Sequence, residues 1–250
     1  MSSSTTSPDH GVPERIDPLK ELPGIVAHHL KKYEFARQRV HGLVVDVACG
    51  VGYGTSHLAD AADMAVGLEV AAEAIDVART RYRHGDTWFV RANAERLPLP
   101  DRSADAIVCF EGIEHFVNPE QHLDEVMRVL RPGGRYFVST PNPVTNAHGH
   151  DNPFHLHEFE VSRMESMLSS RFETVEMLGQ FRIQTRAHRA TQRLDVLGIR
   201  KWRIVRPITR LVSRGVLKTA PTEEASIDDF SIQAFSPEAL EYVAICTNWK

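Results

Sequence analysis

The stretch FEGIEHF, residues 110–116, places Glu111, Glu114 and His115 within five positions at the end of an apolar run. If the chain turns helically after Glu111, positions i, i+3 and i+4 share one face, and two carboxylates and an imidazole converge on one point. Mixed oxygen and nitrogen ligation with positions left to water suits Mg²⁺ or Mn²⁺, either of which would lower the pKa of a bound hydroxyl. A histidine taking the proton as general base is the metal-free alternative. Further imidazoles come from NAHGHDNPFHLHEF, residues 146–159. In an extended segment His155 and His157 lie on one face, opposite Phe154 and Leu156, and His148 and His150 do the same across Gly149. We expect at least one of these histidines in the active site, as base or, for His155, as a fourth ligand.

A second constellation is VVDVACGVGYG, where Gly50, Gly52 and Gly54 follow an apolar run directly and lead into a helix-compatible stretch. Glycines there let backbone approach a ligand closely, and a helix N-terminus offers free N–H groups to a carboxylate or phosphate. The dinucleotide fingerprint G-x-G-x-x-G is not present. Asp46 stands four residues before the first of these glycines. Glu69 closes the next apolar run, where an acidic side chain can accept both hydroxyls of a ribose.

These residues need a scaffold, and the pattern around them alternates. LVVDV, MAVGLEV, WFVRA, DAIVCF and RYFVST read as strands, and helical stretches such as AAEAIDVARTRY and PEQHLDEVMRVL separate several of them. Apolar runs without alternation indicate strands covered on both faces, so a doubly wound, mostly parallel α/β sheet is expected. A helix over about 25–40 precedes the first strand. After Pro141 come the His-rich loop, a helix over about 160–170, a strand over about 172–178 and a closing strand at YVAICT. Residues 180–218 carry eleven Lys or Arg against one acidic residue, with Arg182, Arg186, Arg189 and Arg193, and then Arg203, Arg206, Arg210 and Arg214, at helical spacing. We therefore expect a flexible N-terminus over 1–22, a single domain over 23–250, and a basic helical insertion over 180–220 that caps the site or forms a dimer contact.

Composition narrows the class. With 250 residues, 42% hydrophobic and 25% charged residues, mean hydropathy −0.28 and net charge −4, the chain reads as one large soluble domain. No apolar run reaches the ~20 residues of a membrane span, and MSSSTTSPDHGVPER lacks the basic-then-apolar pattern of a signal peptide, so a cytoplasmic location is expected. Cys49, Cys109 and Cys246 lie in or beside strand-like runs and read as core thiols. The basic stripe has little aromatic interleaving, which argues against nucleic acid as the partner.

From about residue 42 to 142, the succession DVACGVGYG, GLEVAAEAI, RANAERLPLPD, DAIVCFEGIEHF and VLRPGGRYFVSTPN resembles, in order and spacing, the motifs of the class I, seven-strand S-adenosylmethionine-dependent methyltransferases. The resemblance implies strand order 3-2-1-4-5-7-6 and the methionine end of the cofactor on the glycine loop. Asp46 and Gly50 would then lie near its amino acid moiety, Glu69 on the ribose, and Asn93 and Ala94 by the adenine, with Ala48, Gly52, Val70 and Glu111 beside them. Many relatives carry Asp where this chain has Asn93, whose amide oxygen still accepts from the adenine amino group.

E-x-x-E-H followed by a His-rich loop is also similar to the metal-assisted small-RNA 3′-terminal 2′-O-methyltransferases, and the first segment to the ubiquinone-pathway O-methyltransferases. The expectation is an O-methyltransferase aided by Mg²⁺ or Mn²⁺ on Glu111, Glu114, His115 and His155. Its acceptor would be a hydroxyl of a sugar, oligosaccharide or glycosylated metabolite, as in bacterial sugar methyltransferases. Quinol or phenol O-methylation, RNA 2′-O-methylation and a non-catalytic cofactor-binding subunit are the alternatives.

Overall fold

The computed structural model describes residues 15–145, 152–183 and 225–249. Eight strands form one sheet: β1 (Leu43–Val47), β2 (Met64–Glu69), β3 (Thr87–Arg91), β4 (Ala104–Phe110), β5 (Leu130–Pro141), β6 (Phe172–Arg182), β7 (Phe230–Ala234) and β8 (Glu241–Trp249), in the order β3-β2-β1-β4-β5-β8-β6-β7. β3, β2, β1, β4 and β5 run parallel, while β8, β6 and β7 pair antiparallel. The helices are α1 (Pro23–Arg37), α2 (Tyr53–Ala59), α3 (Ala72–Arg81), α4 (Pro119–Val129) and α5 (Val161–Ser169). None is long and apolar enough to cross a membrane.

Strand periodicity divides the core in two. Val45, Val47, Ile107, Cys109, Tyr136 and Val138 face α4 and α5, where they meet Leu123, Val126 and Leu168. Their neighbours Val44, Ala106, Val108, Phe110 and Phe137 face α1 and α2, against Tyr33, Ala36 and Leu58. A side-chain period of 2 in a sheet buried on both sides requires this division, and it explains why the runs read as continuously apolar. α4 begins at Pro119 under an Asn118 cap that accepts from the Gln121 N–H (3.2 Å), and it turns His122, Leu123, Val126 and Val129 inward. The three cysteines are buried free thiols.

The sheet has one strand more than the expected seven. β6 runs on past residue 178 to Arg182, and β7 pairs with that extension from Leu178–Ala234 to Arg182–Phe230. The five residues FSIQA bury only Phe230 fully, so a short edge strand of this kind leaves a weak alternation signal. Residues 180–182 accordingly belong to the sheet and not to a helical insertion. The remainder of the basic stripe lies outside the described residues, as do His148 and His150. Within residues 15–22, expected to be flexible, Arg15 and Asp17 are tied to α3: Arg15 pairs with Glu73 at 3.0 Å, and Arg81 donates to both oxygens of Asp17 at 3.2 Å.

Candidate active site

The carboxyl ends of β1, β2, β4 and β5 open onto a cavity of about 640 Å³, at the edge where parallel α/β sheets bind ligands. Its floor is the loop after β1, where Ala48 (φ 59°), Gly50 (φ 54°) and Gly52 (φ 91°) turn the chain sharply into α2. A Cβ at Gly50 would meet nothing within 4 Å, whereas one at Gly52 would lie 2.6 Å from the Phe89 ring and 2.7 Å from the Ala78 methyl. Gly50 thus opens toward the cavity, and Gly52 seals the loop against α3 and β3. Gly52→Ala combines a left-handed backbone with overpacking and is expected to destabilise the protein by about 2–4 kcal/mol, measurable as a lower urea midpoint.

Glu69, at the end of β2, lines the cavity while its carboxylate accepts from the Gly50 N–H (3.2 Å) and the Ala71 N–H (3.0 Å). A carboxylate has about four lone-pair sites, so capacity remains for a ribose diol beside the exposed Val70. Asp46 is different. It is fully buried and accepts from Thr55 Oγ1 (2.6 Å) and Tyr33 OH (3.3 Å), and burial pushes its carboxyl up to about 7. It braces the glycine loop and does not reach the cavity wall. Asn93 and Ala94 also stand off the wall: the Asn93 amide oxygen accepts from the Glu95 N–H (2.8 Å), and the Ala94 carbonyl accepts from His122 Nδ1 (2.9 Å).

The structure brings Glu114, His115 and His155 together, one donor atom from each lying within 4.8 Å of the others. Glu114 and His115 sit on a single 3-10 turn, Ile113–His115, directly after β4. His155 arrives because the N–H groups of Leu156 (2.9 Å) and His157 (3.1 Å) both donate to the Glu114 carbonyl and dock the 152–157 segment on that turn. His115 Nδ1 donates to the Phe154 carbonyl at 2.9 Å, and His155 Nδ1 lies 3.1 Å from Glu158 Oε1. An oxygen acceptor on Nδ1 places the neutral ring's lone pair on Nε2, the tautomer a metal or a proton requires. Glu114 is 1% exposed, and among the described residues neither carboxylate oxygen makes a hydrogen bond of standard geometry, although the Thr140 side chain and the backbone at Glu114 lie close enough to favour the charged form. Burial pushes this carboxyl well above the usual range, with the Glu111 charge adding to the effect.

Two expected placements do not form. Glu111 takes φ 49°, and only one tight turn follows it, so the i, i+3, i+4 face never develops there. Its carboxylate is engaged by Lys32 and approached by His29 Nδ1 at 3.2 Å, apart from the three-residue cluster. The 153–156 segment is a turn, not an extended strand. Phe154, His155 and Leu156 all line the cavity, while the His157 ring packs 5.7 Å from Phe159 with Nε2 buried.

The sequence reading missed the wall contributed by α1. His29 and Tyr33 line the cavity, and the fully buried Lys32 Nζ bridges Glu111 and Glu241. His28 Nε2 lies 3.2 Å from Glu241 Oε1. The available signal was HHLKKY, a dense polar run within a helix whose other inward residues are apolar.

The methyltransferase-domain family matches residues 45–138. A probable S-adenosylmethionine-dependent methyltransferase of Mycolicibacterium smegmatis is 36% identical over 188 residues, 70% of this chain and 72% of that protein. The chain belongs to the S-adenosylmethionine-dependent methyltransferases. More partial relatives of this methyltransferase include a fatty-acid O-methyltransferase of M. smegmatis, 33% identical over 50% of this chain and 48% of that one. A ubiquinone/menaquinone biosynthesis C-methyltransferase of Pseudomonas fluorescens is 32% identical over 55% and 58%. The crystal structure of a SAM-dependent methyltransferase from Thermotoga maritima shares the fold, with TM-score 0.62 and 17% identity over 90% of this chain and 92% of that one. The open Gly50 and the acceptor capacity of Glu69 fit S-adenosylmethionine, which Ala48, Gly50, Glu69 and Val70 would hold.

Proposed function

We propose that this methyltransferase is an O-methyltransferase that uses a divalent cation on Glu114, His115 and His155 to hold an acceptor hydroxyl. The observation that carries this is Glu114: a buried carboxylate whose oxygens make no hydrogen bond of standard geometry, converging with two imidazoles at the cavity wall, is costly unless a cation occupies the point between them. When bound, such a cation lowers the pKa of the hydroxyl, and the sulfonium supplies the electrophilic methyl group. The chain's own share is to orient the acceptor in line and keep both imidazole lone pairs directed inward. One carboxylate with two imidazoles favours Mn²⁺ over Mg²⁺, since Mg²⁺ prefers oxygen donors.

The favoured acceptor is a hydroxyl of a sugar, oligosaccharide or glycosylated metabolite, whose adjacent hydroxyls suit a cation with open positions. The aromatic side chains of Phe110, Phe116, Phe154 and Tyr53 around the cavity support quinol or phenol O-methylation as the second reading. The test is label transfer from methyl-labelled S-adenosylmethionine to saccharides, catechols and short RNAs, with Mn²⁺, with Mg²⁺ and with EDTA. Transfer to a saccharide that EDTA removes and Mn²⁺ restores is the expected result. Transfer unaffected by EDTA would overturn the cation's role, and transfer only to catechols would replace the sugar.

A further inference from the structure

Methyl transfer to an O–H, N–H or C–H acceptor leaves a proton to be removed, whichever atom is methylated and whether or not a cation assists. α1 presents one imidazole to the cavity, that of His29, whose side chain is 15% exposed. Its Nδ1 lies 3.2 Å from Glu111 Oε1. A carboxylate can only accept, so the neutral ring carries its hydrogen on Nδ1 and its lone pair on Nε2.

Glu111 is itself held from several sides. Lys32, with no exposed side-chain surface, ties it to Glu241 on β8, and the Glu111 N–H donates to the Ser139 carbonyl (3.1 Å) and to Ser139 Oγ (3.2 Å) on β5. Glu111 also keeps a left-handed backbone that non-glycine residues adopt only when their surroundings impose it. A carboxylate fixed in this way orients an imidazole and stabilises the imidazolium formed when the ring takes a proton.

We propose that His29, oriented by Glu111, is the proton acceptor of the methyl transfer. In the step, the S–CH₃ bond breaks with its electron pair returning to sulfur, and an electron pair of the acceptor, a lone pair on oxygen or nitrogen or the π pair of an activated carbon, forms the new bond to the methyl group. The acceptor keeps the X–H electron pair as its proton passes to His29 Nε2. The resulting imidazolium is paired with Glu111 and releases the proton to water. Burial, with Lys32 adding, holds the His29 ring down at about 4 although Glu111 pulls the other way, so the ring is neutral and ready at neutral pH. A methylated oxonium or ammonium is a far stronger acid than the original acceptor, so a weakly basic imidazole suffices. Lys32 and Glu241 are positioning residues for this pair.

Two measurements test the assignment. ¹⁵N spectra of histidine-labelled full chain saturated with S-adenosylhomocysteine, wild type minus His29→Asn, should show a neutral ring protonated on Nδ1 at pH 7, and Glu111→Gln should weaken that tautomer preference. With whichever acceptor takes label in the panel above, His29→Ala and His29→Asn should lower kcat by about 100-fold or more while S-adenosylhomocysteine affinity is unchanged. Added imidazole should restore part of the His29→Ala loss, which a purely structural role would not allow. A ring protonated on Nε2, or turnover undiminished in either variant, would overturn the proposal. So would loss of S-adenosylhomocysteine binding in both variants, which would assign His29 to structure. EDTA run in parallel separates the two readings: turnover that EDTA removes but His29→Ala leaves intact keeps the cation and discards this base.

Discussion

Exchanging Lys32 for methionine is expected to destabilise the protein by about 3–5 kcal/mol, the range found when one partner of a buried ion cluster is removed. Methionine fills much of the lysine volume, so the loss reports charge and not a cavity. Lys32 is completely buried between Glu111 and Glu241. Burial alone would lower the lysine's pKa, yet the two carboxylates raise it above its ordinary value, Glu111 contributing most. A group raised on folding stabilises the fold fully below its unfolded pKa, near 10.4, and loses that contribution as pH rises through the folded value.

The two carboxylates respond differently. His29 and Lys32 hold Glu111 well below the usual carboxylate range against the cost of burial, whereas burial and the Glu111 charge push Glu241 up to about 8. Without the lysine both carboxyls face burial and each other with no cation, so the folded variant retains protons that its unfolded chain releases above about pH 4.3. Its stability must then fall as pH rises. Urea unfolding at pH 5 and pH 8 should show a Lys32→Met deficit that is smaller at pH 5. The triple variant Lys32→Met, Glu111→Gln, Glu241→Gln should recover most of the loss. An unchanged midpoint at pH 8 would show that the cluster contributes nothing.

Glu114→Met should do the opposite to stability while abolishing function. In EDTA the variant is expected to gain about 1–3 kcal/mol, because a buried carboxyl whose oxygens make no hydrogen bond of standard geometry is replaced by an apolar side chain of similar size, a gain that outweighs the lost Thr140 contact. The same exchange removes the only carboxylate of the three-residue cluster. Mn²⁺ binding, read by titration calorimetry, should disappear, and turnover should fall by about 10²-fold or more. S-adenosylhomocysteine binding should survive, since Glu69 closes β2 and Gly50 lies in the loop after β1, both away from the 3-10 turn that carries Glu114. Such a trade of stability for activity is expected where a site keeps a buried polar group for its ligand. Retained Mn²⁺ binding would remove Glu114 from the site, and a lower midpoint in EDTA would show that the contacts of its carboxyl with Thr140 and the backbone outweigh the cost of its burial.

Local pattern determined much of this protein. The largely apolar runs at residues 43–47, 64–69 and 104–110, each with a single acidic residue and no strict alternation, read as strands covered on both faces. The glycine turn after β1, the acidic close of β2 and the E-x-x-E-H segment after β4 are all contiguous in the chain, so their type and order were readable without coordinates. The resemblance to the methyltransferases rested on those same segments, and the expected ligand set of Glu111, Glu114, His115 and His155 on E-x-x-E-H and the His-rich loop; the structure keeps the last three together and takes Glu111 out. The edge strand β7 escaped because five residues with one fully buried side chain carry almost no period-2 signal.

Tertiary structure decided which charges meet. Glu111 and Glu114 are three positions apart and look equivalent in sequence, but a left-handed backbone at Glu111 sends its carboxylate to Lys32 and His29 while Glu114 joins His115 and His155. His155 and His157 looked interchangeable until two N–H groups bonded the Glu114 carbonyl and turned only His155 to the cavity. Lys32 and Glu241 are 209 residues apart in the chain, and their contact exists because β8 pairs with β5 and α1 crosses the same face. Sequence reports the local preference of each segment. The meeting of side chains from distant segments depends on strand order and loop docking, and the buried charges of this site are of that second kind.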